Sequence, residues 1–219
     1  MSNASVAEFL SCIHEASFPC VGAKSAAAQG NLRIVEARDL TSAWNDLEIH
    51  SALLAWARDY RAEPDGLRSL IILFEGPLDL SERVFEVAMW ERIQSFADKD
   101  AWLGQPYDAA VSADPDDPHF SLSFGGEAFF VIGLHPHASR PARRFSSPAL
   151  VFNLHDQFAR LRAEGRYERM REIIIERDVA LAGDVNPMLA RHGEASEAKQ
   201  YSGRRVDADW NCPFHDPRR

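Results

Sequence analysis

The chain has 219 residues, 46% of them apolar, enough to enclose the core of one compact α/β domain spanning 1–219. Acidic residues outnumber basic ones by 33 to 24, and no basic block stands out that could neutralise a row of phosphates, which argues against nucleic acid as a partner. The N-terminus, MSNASVAEFLSC, lacks a basic n-region and a continuous apolar stretch, and no run approaches a membrane span, so the expected setting is the cytoplasm, with no membrane partner.

In chain order, Val6, Phe9, Leu10 and Ile13 recur at three- and four-residue steps and predict a helix that ends before Pro19. FPCVGAKSAAAQG reads as a loop with at most a short helical turn. LRIVEARDL alternates as a strand does, and SAWNDLEIHSALLAWARDY carries Trp44, Leu47, Leu54 and Trp56 at helical spacing. SLIILFEG is a β-branched run between turn residues. In LSERVFEVAMWERIQSFADK, Val84, Phe85, Ala88, Met89, Ile93 and Phe96 fall on one helical face.

The acidic, proline-broken SADPDDPH reads as a surface loop. HFSLSF and EAFFVIGLH then predict two strands joined by a tight turn at Gly125-Gly126, an antiparallel hairpin within an otherwise alternating order. PALVFNLH adds a strand, and two helices follow, ending at Gly165 and Gly183. The expectation is one layered α/β domain, a mixed sheet flanked by helices. Beyond Gly183 periodicity stops, but Met188, Leu189, Tyr201, Trp210 and Phe214 give this stretch anchors, so an ordered irregular C-terminal segment is expected.

Signals for chemistry read from spacing alone are sparse. VGAKSA is not a phosphate loop, because Ala23 separates Gly22 from Lys24 and the backbone amides could not ring a phosphate. There is no His-Glu-x-x-His, Cys-x-x-Cys, Gly-x-Ser-x-Gly or Gly-x-Gly-x-x-Gly pattern. Cys12, Cys20 and Cys212 are odd in number and have no disulfide or zinc spacing, so reduced thiols are expected. The VIGLHPHASRPARRF stretch stands out, because an apolar strand ends by delivering His135, His137, Arg140, Arg143 and Arg144 together.

Taken together, FPCVGAKSA, FFVIGLHPHASRPARRF, LVFNLHDQFARLR, NPMLARHGEASEAKQYSGR and WNCPF resemble the YqcI/YcgG family in order and spacing from Phe18 to Phe214. That family includes haem-dependent enzymes that hydroxylate the guanidino nitrogen of arginine or an arginine-derived substrate, as in D-cycloserine and guanitoxin biosynthesis. The resemblance implies a haem b iron, O2 or peroxide chemistry, and a small guanidino or amine substrate. With no dinucleotide fingerprint in the chain, it also implies a separate electron donor as external reductant; a homodimer is compatible with it.

With a haem in view, His135 is the preferred axial ligand, His137 and His119 are fallbacks, and Cys20 and Cys212 are thiolate alternatives. Arg140, Arg143, Arg144 and Arg204 are expected near the haem propionates, because a guanidinium fork binds carboxylates bidentately. By the same geometry a guanidinium substrate would meet Glu194 and Glu197, three apart and on one face if that stretch is helical. Tyr201 and Gln200 would orient substrate or oxygen, and Asn186 a turn. The rival expectations are a haem sensor or carrier without turnover, and a metal-free small-molecule binder.

Overall fold

The protein is described by a computed structural model covering residues 3–218. In chain order its elements are α1 (Asn3–His14), α2 (Val21–Ala28), β1 (Leu32–Asp39), α3 (Asp46–Ala62), β2 (Ser69–Gly76), α4 (Glu82–Trp102), β3 (Leu122–Phe124), β4 (Glu127–Leu134), β5 (Ala149–Leu154), α5 (His155–Ala163), α6 (Tyr167–Ala182) and α7 (Ala198–Tyr201). The strands form one five-stranded sheet in the order β1-β2-β5-β4-β3. β1 and β2 are parallel and joined through α3, and the other neighbours are antiparallel, so the sheet is mixed as the sequence predicts. Gly125 and Gly126 make the β3–β4 turn at φ of 61° and 82°, a region open to glycine at little cost.

Strand alternation sorts the apolar residues onto two faces. Leu70, Ile72, Phe74, Phe129, Val131, Leu150 and Phe152 point one way and merge with the buried stripes of α3 and α4 into the main core. Ile71, Ile132, Leu134 and Val151 point the other way, toward Phe9 and Ile13 of α1. β3 pairs only with Glu127–Phe129, so the far half of β4, paired with β5 on one edge, has no strand on the other. Arg143 donates to the carbonyl of Gly133 at 3.2 Å, answering part of that open edge.

Three expectations are corrected. VGAKSAAA is the helix α2 and not a loop: its alanines favour a helix, and Cys20 caps it, Sγ accepting the Ala23 N–H at 3.4 Å. The next helix begins only at Asp46, so Trp44 falls in a 3-10 turn before it, and Trp44 and Leu47 are 71% and 73% exposed. The buried stripe is instead Asp46, Ile49, His50, Leu53, Trp56, Ala57 and Tyr60. An aspartate holds its first position because Arg92 of α4 donates to both carboxylate oxygens, at 3.1 and 3.2 Å. In α4, Val84 lies outside the buried face while Phe85, Ala88, Met89, Ile93 and Phe96 form it.

The C-terminal segment is ordered by its anchors. Tyr201 and Phe214 are buried in the main core, and Trp210 packs against it. Arg218 clamps the end, donating to Asp100 at 2.8 Å and to Asp216 at 2.6 Å. Among the described residues no helix is long and apolar enough to cross a membrane.

Candidate functional site

On the second face of the sheet the packing is incomplete, and a cavity of about 300 Å³ lies between the strands and α6. Phe9, Ile71, Ile132 and Val151 line it from α1 and the sheet, and Met170 and Ile174 from α6. α6 has 16 residues, yet Asp178 is its only buried one. An amphipathic helix draws most of its stability from burying its apolar face, and here Met170 and Ile174 of α6 face a void instead.

One end of the cavity is polar. His155 follows β5 with the same parity as Val151 and Asn153, so it faces the cavity, and Glu197 and His192 reach it from the C-terminal segment. His192 Nδ1 lies 3.1 Å from Glu197 Oε1, and His155 Nε2 lies 3.4 Å from His192 Nδ1 and 3.6 Å from Glu197 Oε1. Glu197 Oε2 is held by Ser121 Oγ at 3.1 Å and Tyr201 OH at 3.4 Å. Burial pushes the Glu197 carboxyl up, but the adjacent imidazoles of His155 and His192 outweigh it and hold the group below its ordinary value.

Cys20 and Arg143 also line the cavity. Burial raises the Cys20 thiol, while the amides of Ala23 and Gly22 and the charge of Arg143 pull the other way. Arg143 is held by the carbonyls of Gly133, Tyr201 and Gln200, at 3.2, 3.3 and 2.9 Å. Among the described residues no carboxylate forms a salt bridge with it, and burial lowers it to about 10. This half-buried guanidinium is held by carbonyls, and the charge of Asp178 acts on it without a salt bridge.

The other arginines expected at a propionate are occupied. Arg140 is paired with Asp178 at 2.5 Å and Asp184 at 2.9 Å, and Arg204 with Glu86 at 2.6 Å. Arg144 ties its own loop by donating to the carbonyls of Ala138 and Ser139. Glu194 and Glu197 are not brought to one face: Glu194 sits in an exposed turn accepting the Arg191 N–H at 3.0 Å, whereas Glu197 is buried. Tyr201 and Gln200 are buried beside Glu197, and Asn186 organises a turn by accepting the Met188 N–H at 3.0 Å.

His135 does not line the cavity. It shares the parity of Val131 and Gly133, which turns it to the α4 side, where it stacks on Phe85 at 4.3 Å. A Cβ at Gly133 would come within 2.7 Å of that same Phe85 ring, so the glycine makes room for the stack. Burial lowers His135 to about 4, and its Nδ1 has no hydrogen-bond partner among the described residues. His137 lies on an outer surface with Glu82 and Arg204, His119 is exposed beside Asp117, and Cys212 packs against the main core, its thiol pushed up to about 12 by burial.

The sequence reading missed His155 and His192 as site residues. They lie 37 positions apart, so no local motif joins them; the one available signal is the parity of Val151, Asn153 and His155. No curated protein and no solved structure matches the chain. Residues 8–215 match the YqcI/YcgG family, the stretch that contains the cavity, its arginines and its polar end. The chain belongs to the YqcI/YcgG family.

Proposed function

We propose that this protein is a haem-dependent N-oxygenase, with the porphyrin in the cavity beneath α6 and a guanidino or amine compound as substrate. The observation that carries the reading is the unfilled apolar cleft, in which α6 and the sheet are held apart with no protein side chain completing the packing. A flat, rigid, apolar group suits such a space. The donor set fits as well. Cys20 offers sulfur from the wall, and Arg143 offers a half-buried cation for a propionate. Because His135 and Cys212 face away from the cavity, Cys20 becomes the preferred axial ligand.

When bound, the haem would supply iron-centred oxygen activation, which no side chain provides. The chain's own contributions follow from its geometry. Burial raises the Cys20 thiol, and the α2 amides and Arg143 offset part of that rise, the direction that thiolate ligation needs. The apolar walls exclude water, which strengthens electrostatic contacts inside. Glu197, fixed by Ser121 and Tyr201, presents Oε1 to a cationic nitrogen, and His192 Nδ1 can hold a proton beside it. Electrons come from a separate donor.

Expression with haem supply tests the reading. The expected protein is red, its ferrous–CO Soret band has the red-shifted position of thiolate ligation, and Cys20→Ser abolishes that position while His135→Ala leaves it. With arginine, reductant and oxygen, a product heavier by one oxygen is expected; retained haem without any product supports the sensor, and absence of a Soret band overturns the haem reading.

A further inference from the structure

We propose that His155, His192 and Glu197 form a binding site for a divalent transition-metal ion at the polar end of the cavity. The three residues come from α5, an irregular turn and the start of α7, and their donor atoms nevertheless converge. The triangle has edges of 3.1, 3.4 and 3.6 Å between Glu197 Oε1, His192 Nδ1 and His155 Nε2. Donors so spaced admit a point about 2.1 Å from each, slightly off their plane, which is the usual distance from zinc to imidazole nitrogen and carboxylate oxygen.

Protons satisfy this arrangement poorly. If His192 Nδ1 donates to Glu197 Oε1, it has no lone pair left for His155 Nε2, and the 3.6 Å from His155 Nε2 to Glu197 Oε1 is too long for a hydrogen bond. One cation would serve all three donors. The carboxylate is also held as metal ligands usually are, its second oxygen bound by Ser121 Oγ and Tyr201 OH. Two imidazoles and one carboxylate select zinc, ferrous iron or cobalt over magnesium or calcium, and the positions facing the cavity stay open to a small ligand.

The site stands on the chain's own donors and not on the haem. A metal and a guanidinium both need Glu197 Oε1, so the two occupants exclude one another, and metal loading would inhibit the proposed N-oxygenation competitively with substrate. The test uses full-length protein, expressed with and without haem supply, stripped by chelator and titrated with zinc by calorimetry and with cobalt by visible absorption.

One zinc per chain is expected, with cobalt giving ligand-field bands but no thiolate charge-transfer band. Glu197→Gln and His192→Ala should each weaken zinc by at least about tenfold, with Ser121→Ala weakening it less. Cys20→Ser, which disturbs the haem on the reading above, should leave zinc affinity unchanged. Failure of the folded, stripped wild type to bind zinc or cobalt overturns the site, as does undiminished binding by the folded Glu197→Gln variant. Zinc binding by a protein that takes up no haem would overturn the haem reading alone, and haem uptake with no zinc site would overturn this one alone.

Discussion

The two faces of the sheet are built from similar residues and finished differently. On the α3/α4 face Leu70, Ile72, Val131, Leu150 and Phe152 are each 0% exposed, closed by the stripes of two long helices. On the other face Ile71, Leu73 and Ala149 are buried as well, but Ile132 and Val151, immediate neighbours of the first set in sequence, remain partly exposed at the cavity. A core packs to the density of an organic crystal where nothing else must fit. Leaving part of an apolar sheet face uncovered forgoes burial worth about 25 cal/mol per Å², and a ligand seated on the proposed reading would recover it.

The largest effect that could break this contrast is truncation on either side of it. Phe152→Ala should cost about 3–5 kcal/mol in urea unfolding, a cavity in a filled core, whereas Val151→Ala next to it should cost roughly 1 kcal/mol or less. Equal losses would mean that the second face is as tightly packed as the first. If the cavity takes up an apolar cofactor, the cost of Val151→Ala should rise when the cofactor is present.

The next effect concerns His135, a titratable group on the filled face. The folded protein protonates it only near pH 4, whereas the unfolded chain does so near its ordinary 6.5. The unfolded state therefore binds more protons between these values, so stability is unaffected above about 6.5, falls as pH drops toward about 4, and is level below it. The loss from this group is on the order of 3 kcal/mol. Urea midpoints measured across that range should fall less steeply for His135→Leu than for wild type, and parallel slopes would show that the histidine titrates normally.

The smallest effect on stability separates binding from folding. Ile174→Phe adds bulk to an α6 residue that faces the cavity and not a filled core, so unfolding should shift by less than about 1 kcal/mol. Uptake of any cavity occupant should fall sharply, measured as haem retained per chain. A large loss of stability would instead place Ile174 against packed protein.

Much of this contrast was legible in advance. Alternation in SLIILFEG, EAFFVIGLH and PALVFNLH predicts the strands, and the hairpin glycines their antiparallel turn. The anchors Tyr201 and Phe214 marked the C-terminal segment as ordered. Other features were hidden for physical reasons. VGAKSAAA has no apolar periodicity because α2 is short and lined with small side chains, so a pattern reading passes over it. The true stripe of α3 begins with Asp46, whose burial makes sense only once Arg92 is opposite it.

The site divides in the same way. Covalent alternation already places His135 with Val131 and His155 with Val151, because successive side chains on a strand must point to opposite faces. What alternation cannot say is which face is sealed by helices and which is left open, since that depends on α3, α4 and α6 packing from distant parts of the chain. The sequence by itself therefore determined the strands, the hairpin, the family and the parity of His135 and His155. Only the tertiary structure decided that His135 faces a filled core while His155 meets His192 and Glu197 at a cavity, because convergence across 37 residues is a property of packing and not of local spacing.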